Sequence, residues 1–108
     1  MNKKTEPLIN LLDADTHDNI IRLQQKLKGL KTEISVKLES LTKEHEEYKY
    51  LQQLAEEVDI AIQQIENLMN RPITDDEADT IYNNVPMEEF SKKIANRVKE
   101  ISRLKEKF

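Results

Sequence analysis

Apolar residues recur every three or four positions from Ile20 to Met69. With Ile20 as heptad position a, the a column reads Ile20, Leu27, Ile34, Leu41, Tyr48, Ala55, Ile62 and Met69. The d column reads Leu23, Leu30, Lys37, Glu44, Leu51, Val58 and Ile65. Thirteen of these fifteen places are apolar or aromatic, and the exceptions are Lys37 and Glu44. A 3.5-residue repeat held over that distance is the pattern of a coiled-coil helix. Proline is absent from the stretch and Gly29 is its one glycine. The pattern therefore predicts one continuous helix of about 50 residues, about 75 Å long at ~1.5 Å per residue.

Flanking segments are shorter. Thr5 can cap a first helix with Glu6 and Pro7 in its opening turn, and Leu8, Ile9, Leu11 and Leu12 give it an apolar patch. In "DADTHD" a new helix starts, with Asp15, Thr16 or Asp18 as its cap. At the far end, Pro72 stops the long helix. Thr74 followed by Glu77 is a capping box, with Ile73 and Ala78 placed as a staple, so a short helix runs over about 75–83. Asn83 and Asn84 can close it in the left-handed conformation. Pro86 opens a last helix of about 22 residues. Its apolar places are Met87, Phe90, Ile94, Val98, Ile101, Leu104 and Phe108.

These elements predict an all-α, elongated coiled-coil protein built as an antiparallel helical hairpin in a single domain. Its parts are a short N-terminal helix and cap (1–17), the long heptad helix (18–70), a connector with a short helix (71–85) and the C-terminal heptad helix (86–108). The last helix folds back on the long one. The expected intramolecular seam is Tyr48, Leu51, Val58, Ile62, Ile65 and Met69 against Phe90, Ile94, Ile101 and Leu104. A helix of about 22 residues reaches only about 33 Å, so Phe108 arrives near Tyr48. That leaves Ile20, Leu23, Leu27, Leu30, Ile34, Leu38 and Leu41 uncovered. Burying one such side chain is worth about 1.5–3 kcal/mol, and so long an apolar stripe is more than monomers expose. The pattern thus predicts that a protein partner, a second copy or another helical subunit, covers these seven residues. Lys37 and Glu44 would then mark the border between intramolecular and intermolecular packing. The rival geometry, a compact bundle with the long helix broken near 37–46, conflicts with the helix-favouring composition there.

Composition supports the helical reading. The chain has 108 residues, 35% charged, with one Gly and no Cys or Trp. So little glycine argues against a multi-strand architecture with tight turns. The net charge of −4 gives no global case for nucleic-acid binding. Zero cysteines exclude a disulfide scaffold and point to a reducing, intracellular and cytoplasmic setting. No apolar run is long enough to span a membrane, and no signal-peptide core follows "MNKKTEP".

Candidate chemistry is thin. Asp13, Asp15 and His17 have the spacing of a calcium loop, but Asp18 stands where that loop needs Gly and Gln24 where it needs Glu. His45 has no ligand-type residue three or four positions away, so no metal pair forms there. Asp75, Asp76, Glu77 and Asp79 suit the first turn of a helix. No nucleophile-base set and no glycine-rich phosphate loop is present. In the last helix Lys92, Lys93, Arg97, Lys99, Arg103, Lys105 and Lys107 face four glutamates, without aromatic residues for base stacking. The expectation is a non-enzymatic protein without cofactor or metal, an adaptor or structural subunit that binds protein through its seams. The alternatives are a small co-chaperone or inhibitor that shields a helix of one target, and a nucleic-acid-binding factor that uses the basic last helix.

Overall fold

The computed structural model describes residues 4–103. Leu104 and Phe108, both assigned to the C-terminal seam above, lie outside the described residues. The chain opens as a strand, β1 (Thr5–Pro7), and continues into a 3-10 turn (Leu8–Leu11). Two long helices follow, α1 (Ala14–Ser40) and α2 (Glu46–Met69). A second strand, β2 (Pro72–Thr74), leads into α3 (Asp75–Asn84) and α4 (Met87–Ile101). The all-α helical hairpin read from the heptads is present, and its extents of 56 × 30 × 16 Å make it elongated.

The single helix of about 50 residues is corrected: it is two helices. The chain leaves α1 at Leu41, whose φ of −104° and ψ of 150° are extended, and re-enters helix after His45. Local chemistry supports the turn. Ser40 Oγ donates back to the Lys37 carbonyl at 2.8 Å, and the Leu41 N–H closes on the Leu38 carbonyl at 3.3 Å. His45 Nδ1 accepts from the Glu47 N–H at 3.2 Å and caps α2. Burial decides the matter. Interrupting a helix of good formers costs a few tenths of a kcal/mol per residue in lost propensity. Folding back covers Ile20, Leu27 and Ile34, each at most 2% exposed, and each such side chain is worth about 1.5–3 kcal/mol. The hairpin is therefore α1 against α2, rather than the last helix against a continuous one.

Lys28 and Lys31 of α1 reach across to Glu66 and Asp59 of α2, at 3.4 and 2.6 Å. All four side chains are well exposed, so each pair is worth at most about 1 kcal/mol and serves alignment more than stability. α4 packs against both long helices. Ser91 near its start touches Asp13 at the start of α1, while Arg103 beyond its end shares a cleft with Lys26. It therefore runs parallel to α1 and antiparallel to α2. The expected antiparallel partnership of the last helix with α2 is present, but α4 also covers the N-terminal half of α1.

The short N-terminal helix capped by Thr5 is corrected in part: Thr5–Pro7 form a strand, and Leu8–Leu11 turn as a short 3-10 helix that Pro7 precedes. Pro7 disfavours helical geometry at Glu6, and residues 5–7 pair antiparallel with β2, Thr5 opposite Thr74 and Pro7 opposite Pro72. Each proline lacks an N–H, and both sit at the end of this two-stranded ribbon, where no ladder donor is needed. The Leu8 N–H donates to the Arg71 carbonyl at 2.9 Å and turns the chain inward, which buries Leu8, Leu11 and Leu12.

The cap of α1 is Asp13, earlier than the three candidates expected, with its carboxylate accepting from the Thr16 N–H at 2.8 Å. At α3 the expected cap is in place. Thr74 Oγ1 accepts from the Glu77 N–H at 3.2 Å, and Ile73 and Ala78 are buried. The left-handed closure at Asn83 and Asn84 is corrected: no described residue has positive φ. α3 runs through Asn84, whose Nδ2 donates to the Thr80 carbonyl at 3.0 Å.

Candidate functional site

Of the seven residues expected to meet a second chain, Ile20, Leu27 and Ile34 belong to the core of this chain. Leu23, Leu30, Leu38 and Leu41 are half-buried and pack at the edge of that core. The uncovered stripe that required a partner is thus largely covered by α2 and α4. Of the expected intramolecular seam, Leu51, Val58, Ile62, Ile65 and Met69 are buried, and Tyr48, Phe90, Ile94 and Ile101 are half-buried.

Heptad reading missed Leu54 and Ala61, both buried. With Leu68 they form a third apolar column on α2, one place N-terminal to the a column. A stripe of three columns belongs to a helix with neighbours on more than one side, and α2 meets α1, α4 and the 3-10 turn.

On α1 the two columns separate. The a residues Ile20, Leu27 and Ile34 point into the core. The d residues Leu23 and Leu30 lie on the flank, half-exposed. Lys37 continues that flank past the end of α4 and is exposed, and Glu44 lies in the exposed turn. These charges occupy the solvated end of a flank, so their expected role as a packing border on a continuous seam does not survive the fold.

Beside that flank α1 and α4 diverge into an open cleft of about 870 Å³. Ile20 and Val98 close its base, and Leu23 and Ala95 form half-exposed walls. Asn19 and Thr16 line the α1 side toward its N-terminus, Asn96 and Ser102 the α4 side. Four cations stand around it: Arg22 and Lys26 on α1, Lys99 and Arg103 on or just beyond α4. Glu100 is, among the described residues, the one carboxylate in the lining. Among the described residues none of the four cations forms an ion pair, whereas Lys28 and Lys31, a few residues on, are both paired. The spacing explains the arrangement. Positions 19, 22, 23 and 26 lie on one face of α1, and 95 and 99 on one face of α4, with 102 and 103 in the 3-10 turn that follows it. The basic character noted for the last helix becomes a local feature only when Arg22 and Lys26 are brought alongside it, which no reading of α4 alone reveals.

The other candidates gain nothing from folding. Asp13 is engaged as a cap; hydrogen bonds from Thr16, and a weaker one from Ser91, hold its carboxyl below the usual carboxylate range. His17 lies 3.6 Å from Asp18 on the first turns of α1, and His45 caps α2. Asp75, Asp76 and Glu77 fill the first turn of α3. Among the described residues no group of three or more His, Cys, Asp or Glu side chains is arranged to hold a metal ion. No helix among them is long and apolar enough to cross a membrane. Comparison with protein-family models, with curated proteins and with solved structures gives no match.

Proposed function

We propose that this chain is a non-catalytic protein-interaction module that takes a segment of another protein into the cleft between α1 and α4. The observation that carries this reading is the cleft itself, an apolar base with half-exposed Leu23 and Ala95 inside a polar rim. An apolar centre ringed by polar groups is the usual anatomy of a protein-binding patch. The reading favours capture of a target segment over seam-to-seam coiled-coil pairing, because the a residues of α1 are already used within the chain. It keeps the role of an adaptor or complex subunit, and it brings that role close to a co-chaperone that shields part of its target.

Affinity capture from source-cell extract with three forms tests it: the wild type, Leu23→Asp in the cleft, and Val36→Asp on the exposed outer face of α1. The expected result is a captured protein lost with Leu23→Asp and kept with Val36→Asp. Capture that is equal for all three forms, or absent for all, overturns the reading.

A further inference from the structure

We infer that the occupant of the α1–α4 cleft is an acidic amphipathic helix of a partner protein; this rests on the cleft being the docking site. Its charge follows from the rim. Arg22, Lys26, Lys99 and Arg103 surround one cleft, unpaired among the described residues, in a chain whose net charge is −4. Four cations held within a few turns of each other repel, and an incoming row of carboxylates converts that repulsion into attraction and steers encounter.

Its secondary structure follows from the walls. Both are helices, whose backbone groups are bonded within themselves, so the cleft presents no strand edge to an extended peptide. A helix arrives with its own backbone satisfied and needs only side-chain contacts. With a diameter of about 10–12 Å it also suits a groove between two neighbouring helices. The occupant lays an apolar stripe on Leu23 and Ala95 and sets carboxylates to both sides. Glu100 favours a single basic residue at its own corner of the rim.

A nucleic acid fits less well. Among the described residues the lining contains no aromatic side chain for base stacking, and half-exposed apolar walls offer nothing to a phosphate backbone.

The test is fluorescence anisotropy on the full chain with four labelled probes: a designed Leu/Glu amphipathic helix, its Leu/Lys twin, a single-stranded oligonucleotide and a duplex. Lys26→Glu with Lys99→Glu reverses charge in the cleft. Lys37→Glu with Lys43→Glu makes the same change in net charge at the far end of the hairpin. Circular dichroism checks that both variants keep the helical content of the wild type.

The acidic helix is expected to bind, and the basic twin is not. Binding is expected to weaken at least about tenfold in the cleft variant and to change little in the distal one. Absence of binding by the acidic helix at about 100 µM overturns the inference. So does equal weakening by both variants, or tighter binding of either oligonucleotide. Failure here with cleft-dependent capture from extract leaves the docking reading standing with a different occupant; failure of both removes both. Self-association of the chain that is lost when Asp75, Asp76 and Asp79 are changed to Asn would assign the cleft to a second copy and also overturn the inference.

Discussion

Ser91 ties the last helix to the first turn of α1. It is fully buried, and its Oγ accepts from the Asp13 N–H at 3.0 Å while the Asp13 carboxylate caps α1. Ser91→Ala removes the protein partner of that part-buried N–H, an expected cost of about 0.5–1.5 kcal/mol in urea or thermal unfolding. Asp13 adds a pH dependence. Its folded pKa lies below the ordinary value, so it stabilises the fold above the unfolded pKa of about 3.9, and that share is lost as pH falls through the folded pKa. Asp13→Asn keeps an oxygen for the Thr16 N–H and removes the titration, so the acid limb of its melting-temperature profile should be flatter than that of the wild type. An unchanged slope would mean that Asp13 is not the titrating cap. Tyr82 works at the opposite end of the scale. Its hydroxyl donates to the Leu11 carbonyl at 3.2 Å; burial, then the nearby Glu6 charge, raises its pKa above 10.0. Its contribution is present below the unfolded pKa and lost as pH rises through the folded one. Tyr82→Phe should lower stability at neutral pH by about 0.5–1.5 kcal/mol and erase that alkaline loss.

At the scale of elements, the fold divides into what a one-dimensional pattern carries and what it does not. The helical content, the stop at Pro72, the Thr74 cap and the start at Pro86 are local, and each was legible because one or two residues decide it. The turn at 41–45 was legible only as the rival geometry, a break near 37–46, against which the local composition argued. It has neither Pro nor Gly, and Lys37 and Glu44 looked like two faults in a seam that otherwise continued. The a and d columns run on in phase from Ile34 through Leu41 and Tyr48 only because the intervening segment keeps the heptad count. What reveals the turn is non-local: α2 carries the additional column Leu54, Ala61 and Leu68, more apolar surface than a coiled-coil seam needs, and that surplus calls for a bundle. Lys37 and Glu44 then lie in water, and the substitutions separate the two geometries. On a continuous seam, Lys37→Leu with Glu44→Leu would raise the melting temperature. In this fold the pair should shift stability by no more than about 0.5 kcal/mol. Ile34→Ala, only three residues from Lys37 but inside the core, should cost about 2–5 kcal/mol.

For the whole molecule, the heptads led to a second chain through one premise, that the a and d residues of α1 have no cover. The fold removes the premise for the a column and narrows it for the d column to a flank ending in the α1–α4 cleft. The remaining large exposed hydrophobics include Val36 on the outer face of α1 and Tyr50 and Ile60 on α2. These sit on different helix faces, and scattered apolar residues of this kind are ordinary on monomers. Like charges around the cleft, unpaired among the described residues, further oppose pairing cleft to cleft, since a two-fold contact would set the same four cations against themselves. The purified chain should therefore sediment at micromolar concentration as an elongated monomer of 12.7 kDa, with helical circular dichroism that does not change on dilution. Added salt should not drive it to a coiled-coil dimer, because the a residues Ile20, Leu27 and Ile34 are already buried within the chain. A stable dimer whose helicity falls on dilution would restore the coiled-coil reading, and would mean that α1 leaves α2 in solution to pair with a second chain.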